Sequence, residues 1–295
     1  VSNNRRLLLV HAHPDDETIG TGATMAKYVA EGAQVTLVTC TLGDEGEILV
    51  PELAHLAAHD QDKLAEHRLV ELAQAMAQLG VTDYRILGGI GGYRDSGMIG
   101  TAPNQRPDSF WQADLLEAAK HLVKIIRETK PQVLVTYDDF GGYGHPDHIQ
   151  AHRVATYAAA LAGVGSFAPE LGSPWNISKL YWTAFPVSVI RAGIEALRAN
   201  GEDTGFAAQD PEDVPFACPD EFISTVVDAG QYVEQKFSAL RAHETQINAD
   251  SGFFALSNNL GSQVMGFEYF RLAFGELGEL DSAGHETDLF AGVKL

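Results

Sequence analysis

Two short stretches concentrate the residues able to do chemistry: "HAHPDDE" at residues 11–17 and "GGYGHPDH" at 141–148. Each places a His-Pro-Asp tripeptide shortly after an apolar run, "LLLV" in the first case and "VLVTY" in the second. Together they offer His13, Asp15, Asp16, His145, Asp147 and His148. Two imidazoles and one carboxylate form a three-ligand set with open coordination positions, as in catalytic zinc hydrolases and in non-haem iron(II) enzymes. Six titratable groups exceed what coordination needs. Water on such a metal is acidified toward neutrality, and a carboxylate left free beside it can take the proton as general base. Carboxylates packed this densely also repel one another and call for a cation.

Other candidates carry less. His55 and His59 stand at i, i+4 but lack a third ligand, so a solvated face is the better reading. His152, one turn beyond His148, is expected to be structural or to lie behind the ligands. Glu17 reads as a first-turn acid favoured by the helix dipole, and no role is assigned to His11. "GTGATM" (20–25) has methionine where a dinucleotide fingerprint needs its third glycine, and is expected to permit close helix packing. No G-x-S-x-G, H-E-x-x-H or Walker A sequence occurs, which removes the standard serine-hydrolase, zincin and P-loop readings.

The elements that must position the two loops follow from periodicity. "RRLLLV" (5–10) predicts a strand, "TMAKYVAEG" (24–32) a helix ending at Gly32, and "AQVTLVTCT" (33–41) a strand buried on both faces. Helices are expected over 62–80, 114–131 and 149–163, and strands over 84–89 and 132–139. The alternation predicts an α/β protein with a Rossmann-like, mainly parallel sheet flanked by helices. In such sheets the loops at the carboxyl ends of the strands line the ligand crevice, so both His-Pro-Asp loops are expected at one sheet edge. A proline at the first helical position would preset φ in each. Beyond a boundary near residue 168 the rhythm loosens. The expected division is 1–168, the metal-binding catalytic domain, and 169–295, a smaller C-terminal α+β portion that completes the substrate pocket.

The chain of 295 residues carries 20 basic and 40 acidic residues, a formal charge of −20. That balance repels phosphate backbones and anionic lipid, so neither nucleic acid nor membrane is an expected partner. No apolar run approaches the ~18 residues of a membrane span, and the N-terminus lacks signal-peptide features; a cytoplasmic location is the expectation. Cys40 and Cys218 are read as core thiols.

"AHPDDE" after the first strand and "GHPDH" after a later one resemble the PIG-L/LmbE-like family of metal-dependent N-deacetylases. "GAQVTLVTCTLGDEGEI", "YRDSGMIGT", "VTYDDFGGYGHPDHIQAH", "LSNNL" and "ETDLFAG" extend the resemblance over nearly the whole chain. They are most similar to the branch that removes acetate from N-acetylglucosaminyl-inositol in mycothiol biosynthesis. The resemblance implies Zn²⁺, with Fe²⁺ as the alternative, held by His13, Asp16 and His148. It also implies Asp15 as general base, Tyr143 as the donor polarising the oxyanion, His145 in an acid or electrostatic role, and Asp147 orienting a neighbour. Arg68 and Asp95 would contact the sugar by the same resemblance, but the plainer readings weigh more: Arg68 on the solvated face of its helix and Asp95 in a turn. The implied partner is a small amino-sugar inositol.

Three alternatives accompany this reading. The mycothiol S-conjugate amidase branch shares the metal motifs, and "YRDSGM" favours the deacetylase. A non-haem iron(II) oxygenase would use His13-x-Asp15 with His148 as its triad, against which the βαβ pattern speaks. A silent sugar-binding module would leave the spare base and Tyr143 without a task.

Overall fold

The computed structural model describes residues 4–199, 201, 203–248 and 265–295; "LSNNL" (256–260) lies outside them. Its centre is a strand whose alternate side chains enter different cores. In β1 (Arg6–His11), Leu7 and Leu9 join one buried cluster, while Leu8 and Val10 join the other. A strand covered on both faces must be apolar throughout, which is why "LLLV" shows no polar alternation.

β1 leads into α1 (Asp16–Ala30) and β2 (Gln34–Thr39), and α2 (Leu64–Leu79) precedes β3 (Asp83–Ile86). α3 (Leu115–Thr129) and β4 (Val133–Thr136) follow, then a short turn α4 (Gly141–Gly144) and α5 (Pro146–Ala162). β5 (Lys179–Pro186), α6 (Val187–Ala199), β6 (Ala217–Cys218), β7 (Thr225–Asp228), α7 (Val233–Ala242) and β8 (Phe267–Phe274) complete the described elements. The sheet order is β3-β2-β1-β4-β5-β8-β7, with β6 pairing at the end of β5. β1 to β5 are mutually parallel, with Val10 opposite Val38 and Leu9 opposite Val135; β8 pairs antiparallel with both β5 and β7, so β8 alone is reversed among these seven strands. The architecture is the α/β one expected from the alternation.

Residue 168 falls between α5 and β5. On its far side β5 extends the same sheet by pairing with β4, and β8 pairs with β5. α7, from the C-terminal part, packs on α1 and α2. The C-terminal segment therefore completes the sheet and one helical layer of the N-terminal part. Among the expected elements, the helix at 24–32 begins earlier, at Asp16, and takes in Gly20 and Gly22 despite their low helix propensity. Gly22 is the close-packing position: a Cβ there would stand 3.3 Å from Cγ of Lys236 on α7. Cys40 and Cys218 are both buried, free thiols.

Candidate functional site

The strand order reverses between β1 and β4, where loops from neighbouring strands diverge and open a crevice at the carboxyl edge of the sheet. The loop after β1 supplies His13, Asp15 and Asp16, and the connection after β4 supplies Tyr143, His145 and His148. All six line one cavity of about 970 Å³, together with Arg68 and Asp95.

The two His-Pro-Asp loops use different registers. Pro146 occupies the first turn of α5, and His145 caps it by accepting from the backbone N–H of Asp147 at 3.1 Å. Pro14 lies before the N-cap of α1, which is Asp15, so the expected proline at the first helical position holds only in the second loop. The cause is the backbone of Asp15, at φ 119° and ψ −39°, a conformation a non-glycine residue holds only when its surroundings impose it. As a result the Asp of one tripeptide occupies the N-cap position, with no side-chain capping bond, whereas the Asp of the other lies inside its helix.

Asp16 joins the loops. Its Oδ2 lies 3.3 Å from Nδ1 of His13 and 3.3 Å from Nε2 of His148. Donors held about 2.0–2.1 Å from a tetrahedral zinc are separated by about 3.3–3.4 Å, so these spacings match the edges of such a site. Nε2 of His148 is buried without a hydrogen-bond partner, an orphaned lone pair where a ligand atom is needed. Burial opposes ionisation of Asp16, but His148 and His13 outweigh it and hold the carboxyl well below its usual range. Imidazole nitrogens of His13, His145 and His148 also lie within 4.8 Å of one another. The residues present fit a divalent cation.

Behind His13, Nε2 lies 3.1 Å from Oδ2 of Asp147 and 3.6 Å from Oδ1 of Asp95. Asp147 is fully buried; it accepts from the Ser96 N–H at 2.9 Å and from the Ser96 hydroxyl. Asp95 accepts from Gly97 N at 2.8 Å and Glu45 N at 3.2 Å, so it is more than a turn residue. Although burial lowers the basicity of His13, the field of Asp95 and hydrogen bonds to Asp147 and Asp16 raise its pKa well above normal. His145 has no such support: burial, with the fields of His13 and His148, pushes it down to about 3. Tyr143, 40% exposed at the cavity, has its ring 4.9 Å from that of His148. The Asp15 carboxyl is pushed up to about 6 by burial, with Arg68 opposing.

Arg68 does not face solvent. It is 2% exposed; Nη1 donates to Gly43 O at 2.9 Å, and Nη2 donates to Pro14 O and reaches Asp15 Oδ2 at 3.2 Å. Its guanidinium thus ties α2 to the loops after β1 and β2. Glu17 is in the first turn of α1 as expected, but its surroundings go beyond a dipole contact. It is fully buried, accepts from Asp15 N at 2.9 Å, and lies 2.9 Å from Nε2 of His243. Sequence reasoning missed His243, 226 residues away, and Tyr137, which stacks on His148 at 4.3 Å while its hydroxyl accepts from Ala12 N. Neither carries a motif; the "VTY" placement of Tyr137 at the strand end was the one available signal. His152 packs structurally, 3.0 Å from the Tyr137 carbonyl, and His55 and His59 are exposed. His11 is buried against Thr21 and Tyr137.

A mainly parallel α/β sheet with a His/Asp cluster at its switch point places a candidate metal site on a Rossmann-like fold. The family model described as PIG-L, GlcNAc-PI de-N-acetylase, matches residues 8–159, and the chain belongs to this family. A relative from Nocardioides sp., named 1D-myo-inositol 2-acetamido-2-deoxy-alpha-D-glucopyranoside deacetylase, is 62% identical, with 98% of this chain and 99% of the relative covered. One of the same name from Kribbella flavida is 59% identical, with 98% of each covered. Among solved structures, N,N'-diacetylchitobiose deacetylase from Pyrococcus horikoshii superposes with a TM-score of 0.60 at 20% identity, covering 92% of this chain and 84% of that one. The 4-carboxy-2-hydroxymuconate hydratase GalB also reaches 0.60, at 17% identity, over 94% of this chain and 100% of that one. A hydratase and a deacetylase on one fold show that the fold alone leaves the reaction open.

Proposed function

We propose that the protein is a divalent-metal-dependent N-deacetylase that hydrolyses the acetamide of 1D-myo-inositol 2-acetamido-2-deoxy-α-D-glucopyranoside, a step of mycothiol biosynthesis in the cytoplasm. One observation carries the mechanism: Asp16 sits 3.3 Å from both imidazoles, while the neighbouring Asp15 carboxylate stands at the cavity paired with Arg68. Full-length identity to relatives of that name supports the substrate.

His13, Asp16 and His148 would hold the cation. Bound there, Zn²⁺, or Fe²⁺ with the same donors, supplies Lewis acidity that acidifies water and polarises the acetamide carbonyl. Asp15 takes the proton from the attacking water and passes it to the leaving nitrogen, so its carboxyl must shuttle between both states. The Tyr143 hydroxyl donates to the oxyanion of the tetrahedral intermediate. His145 accepts the Asp147 N–H at Nδ1, which leaves its ring proton on Nε2. Because its pKa is low, it serves as a neutral hydrogen-bond donor rather than a resting imidazolium. Asp147 orients His13, and Asp95 steadies the same imidazole from the cavity wall. Asp95 also remains open to a sugar hydroxyl, whereas Arg68 would reach the sugar only from the edge of a guanidinium already tied to Pro14, Gly43 and Asp15.

The oxygenase triad would need Asp15 beside both imidazoles, the place Asp16 takes. Acetate release from the acetamido-glucosyl-inositol, measured against cleavage of a mycothiol S-conjugate with metal analysis of the same sample, tests the proposal. Deacetylation expected to dominate by at least tenfold supports it; preferential cleavage of the conjugate moves the chain to the amidase branch.

A further inference from the structure

Behind the Asp15 loop, on the side away from the cavity, lies a fully buried carboxylate–imidazole pair. The Glu17 and His243 side chains are both inaccessible to solvent. Oε1 of Glu17 is 2.9 Å from His243 Nε2 and accepts from Thr18 Oγ1 at 2.6 Å; Oε2 accepts from the backbone N–H of Asp15 at 2.9 Å. Burying a charge costs several kcal/mol unless it is paired and hydrogen-bonded, so such a pair placed under one loop needs a reason. The Asp15 backbone, at φ 119°, supplies one. A residue in that region relaxes toward ordinary dihedrals unless its amide and carbonyl are held. The carbonyl is held by the N–H groups of Thr18 and Ile19, both at 2.9 Å, and among the described residues the amide is held by Glu17 alone.

We propose that Glu17 and His243 are positioning residues for Asp15. His243 fixes the rotamer of Glu17, and Glu17 holds the Asp15 amide in the left-handed conformation that sends its carboxylate to the cavity while Asp16 turns to the imidazoles. The inference rests on Asp15 being the general base. It gives the C-terminal segment a task at the site: His243 follows α7 and reaches under the loop after β1. Because neither residue lines the cavity, the pair acts on turnover and leaves substrate affinity alone.

The test uses the metal-loaded full-length enzyme. Glu17→Met keeps the volume but cannot accept from Asp15; His243→Phe keeps a ring but cannot donate; Glu17→Gln keeps an acceptor for the Asp15 amide. Misplacing a reacting group by about 1 Å costs about 10²-fold. The expectation is that Glu17→Met and His243→Phe lower kcat about 10²-fold with KM within twofold. Glu17→Gln should recover to within about fivefold of the wild type, and Glu17→Met should cost nothing further in an Asp15→Ala background, because coupled residues are non-additive. An equal kcat loss with and without Asp15, or kcat within twofold in folded Glu17→Met, would overturn the inference. If Glu17→Met fails to fold, His243→Phe carries the same comparison. Failure of both beside a fully active Glu17→Gln would make the pair structural and also sink it. Asp15→Ala that releases acetate normally would instead remove the base assignment itself.

Discussion

The carboxylate of Asp147 lies 3.1 Å from Nε2 of His13, a contact across 134 positions of sequence. It faces one nitrogen of the ring whose other nitrogen faces Asp16, so with a cation at Nδ1 it would hold the ring proton on Nε2. Removing such a partner costs about 10–100-fold in metal affinity. Asp147→Ala is therefore expected to bind Zn²⁺ about 10–100-fold more weakly in a chelator-competition titration. Wild-type affinity would show that His13 is oriented by other contacts.

The adjacent aspartates should separate cleanly. Asp15→Ala is expected to retain its metal and lose acetate release by about 10²–10⁴-fold, the usual contribution of a general base. Asp16→Ala is expected to lose the metal. Both variants are read by metal analysis and turnover on one sample; the reverse pattern would favour the iron(II) triad.

Gly141 lets the Tyr143 turn pass close to α5. It has φ +67°, and a Cβ there would come 2.6 Å from His148 Cβ and 2.7 Å from Ile149 N. Gly141→Ala must push α5 or the turn away, so weakened metal binding together with reduced kcat is expected. Tyr143→Phe, which moves nothing, should lower kcat by about 10²-fold or more, the usual cost of losing one oxyanion donor, with metal content unchanged. Unchanged turnover in Tyr143→Phe would remove the hydroxyl from the mechanism.

Arg68 should behave as a clamp. Breaking a buried charge pair by removing one partner typically costs about 3–5 kcal/mol. Arg68→Ala should lower the unfolding free energy in denaturant titrations by that order and reduce kcat, because the Asp15 loop loses its tie. Gly43→Ala, whose Cβ would overlap Nη1 of Arg68 at 1.7 Å and whose φ is +67°, should reproduce both effects. A rise in KM alone for Arg68→Ala would identify it as a sugar contact.

His11 predicts a pH dependence of the metal-free protein. Burial lowers its pKa from 6.5 to about 4, so the unfolded chain binds a proton that the folded one refuses. Its contribution is present above pH 6.5 and is lost as pH falls toward about 4, on the order of 3 kcal/mol at 1.36 kcal/mol per unit. Denaturant titrations of His11→Gln should show a shallower decline over that window. A slope identical to the wild type would place the titration elsewhere.

The strands at the centre of the sheet were legible because burial on both faces demands unbroken apolar runs, and "LLLV" and "QVTLV" can satisfy nothing else. That the two His-Pro-Asp loops would meet was legible for a similar reason: His13, Asp16 and His148 stand within five residues of a strand end or in the first turn of a helix, where the topology leaves little freedom, and the choice of ligands among them came from the family resemblance. Glu17 and Arg68 were not legible. A Glu in a first helical turn and an Arg on a helix are ordinary surface residues until another segment covers them, and α7 and the loop after β2 do so here.

The amino-acid sequence by itself determined the alternation of strand and helix, the family, and the set of metal-ligating types, because these depend on local periodicity and on residues close to strand ends. The family resemblance named Asp16 as the ligand, but only the tertiary structure shows how Asp16 comes to lie 3.3 Å from both imidazoles. That placement turns on the left-handed backbone of Asp15, which Glu17, His243 and Arg68 impose from distant elements, and no local rule encodes a conformation that exists only under such contacts.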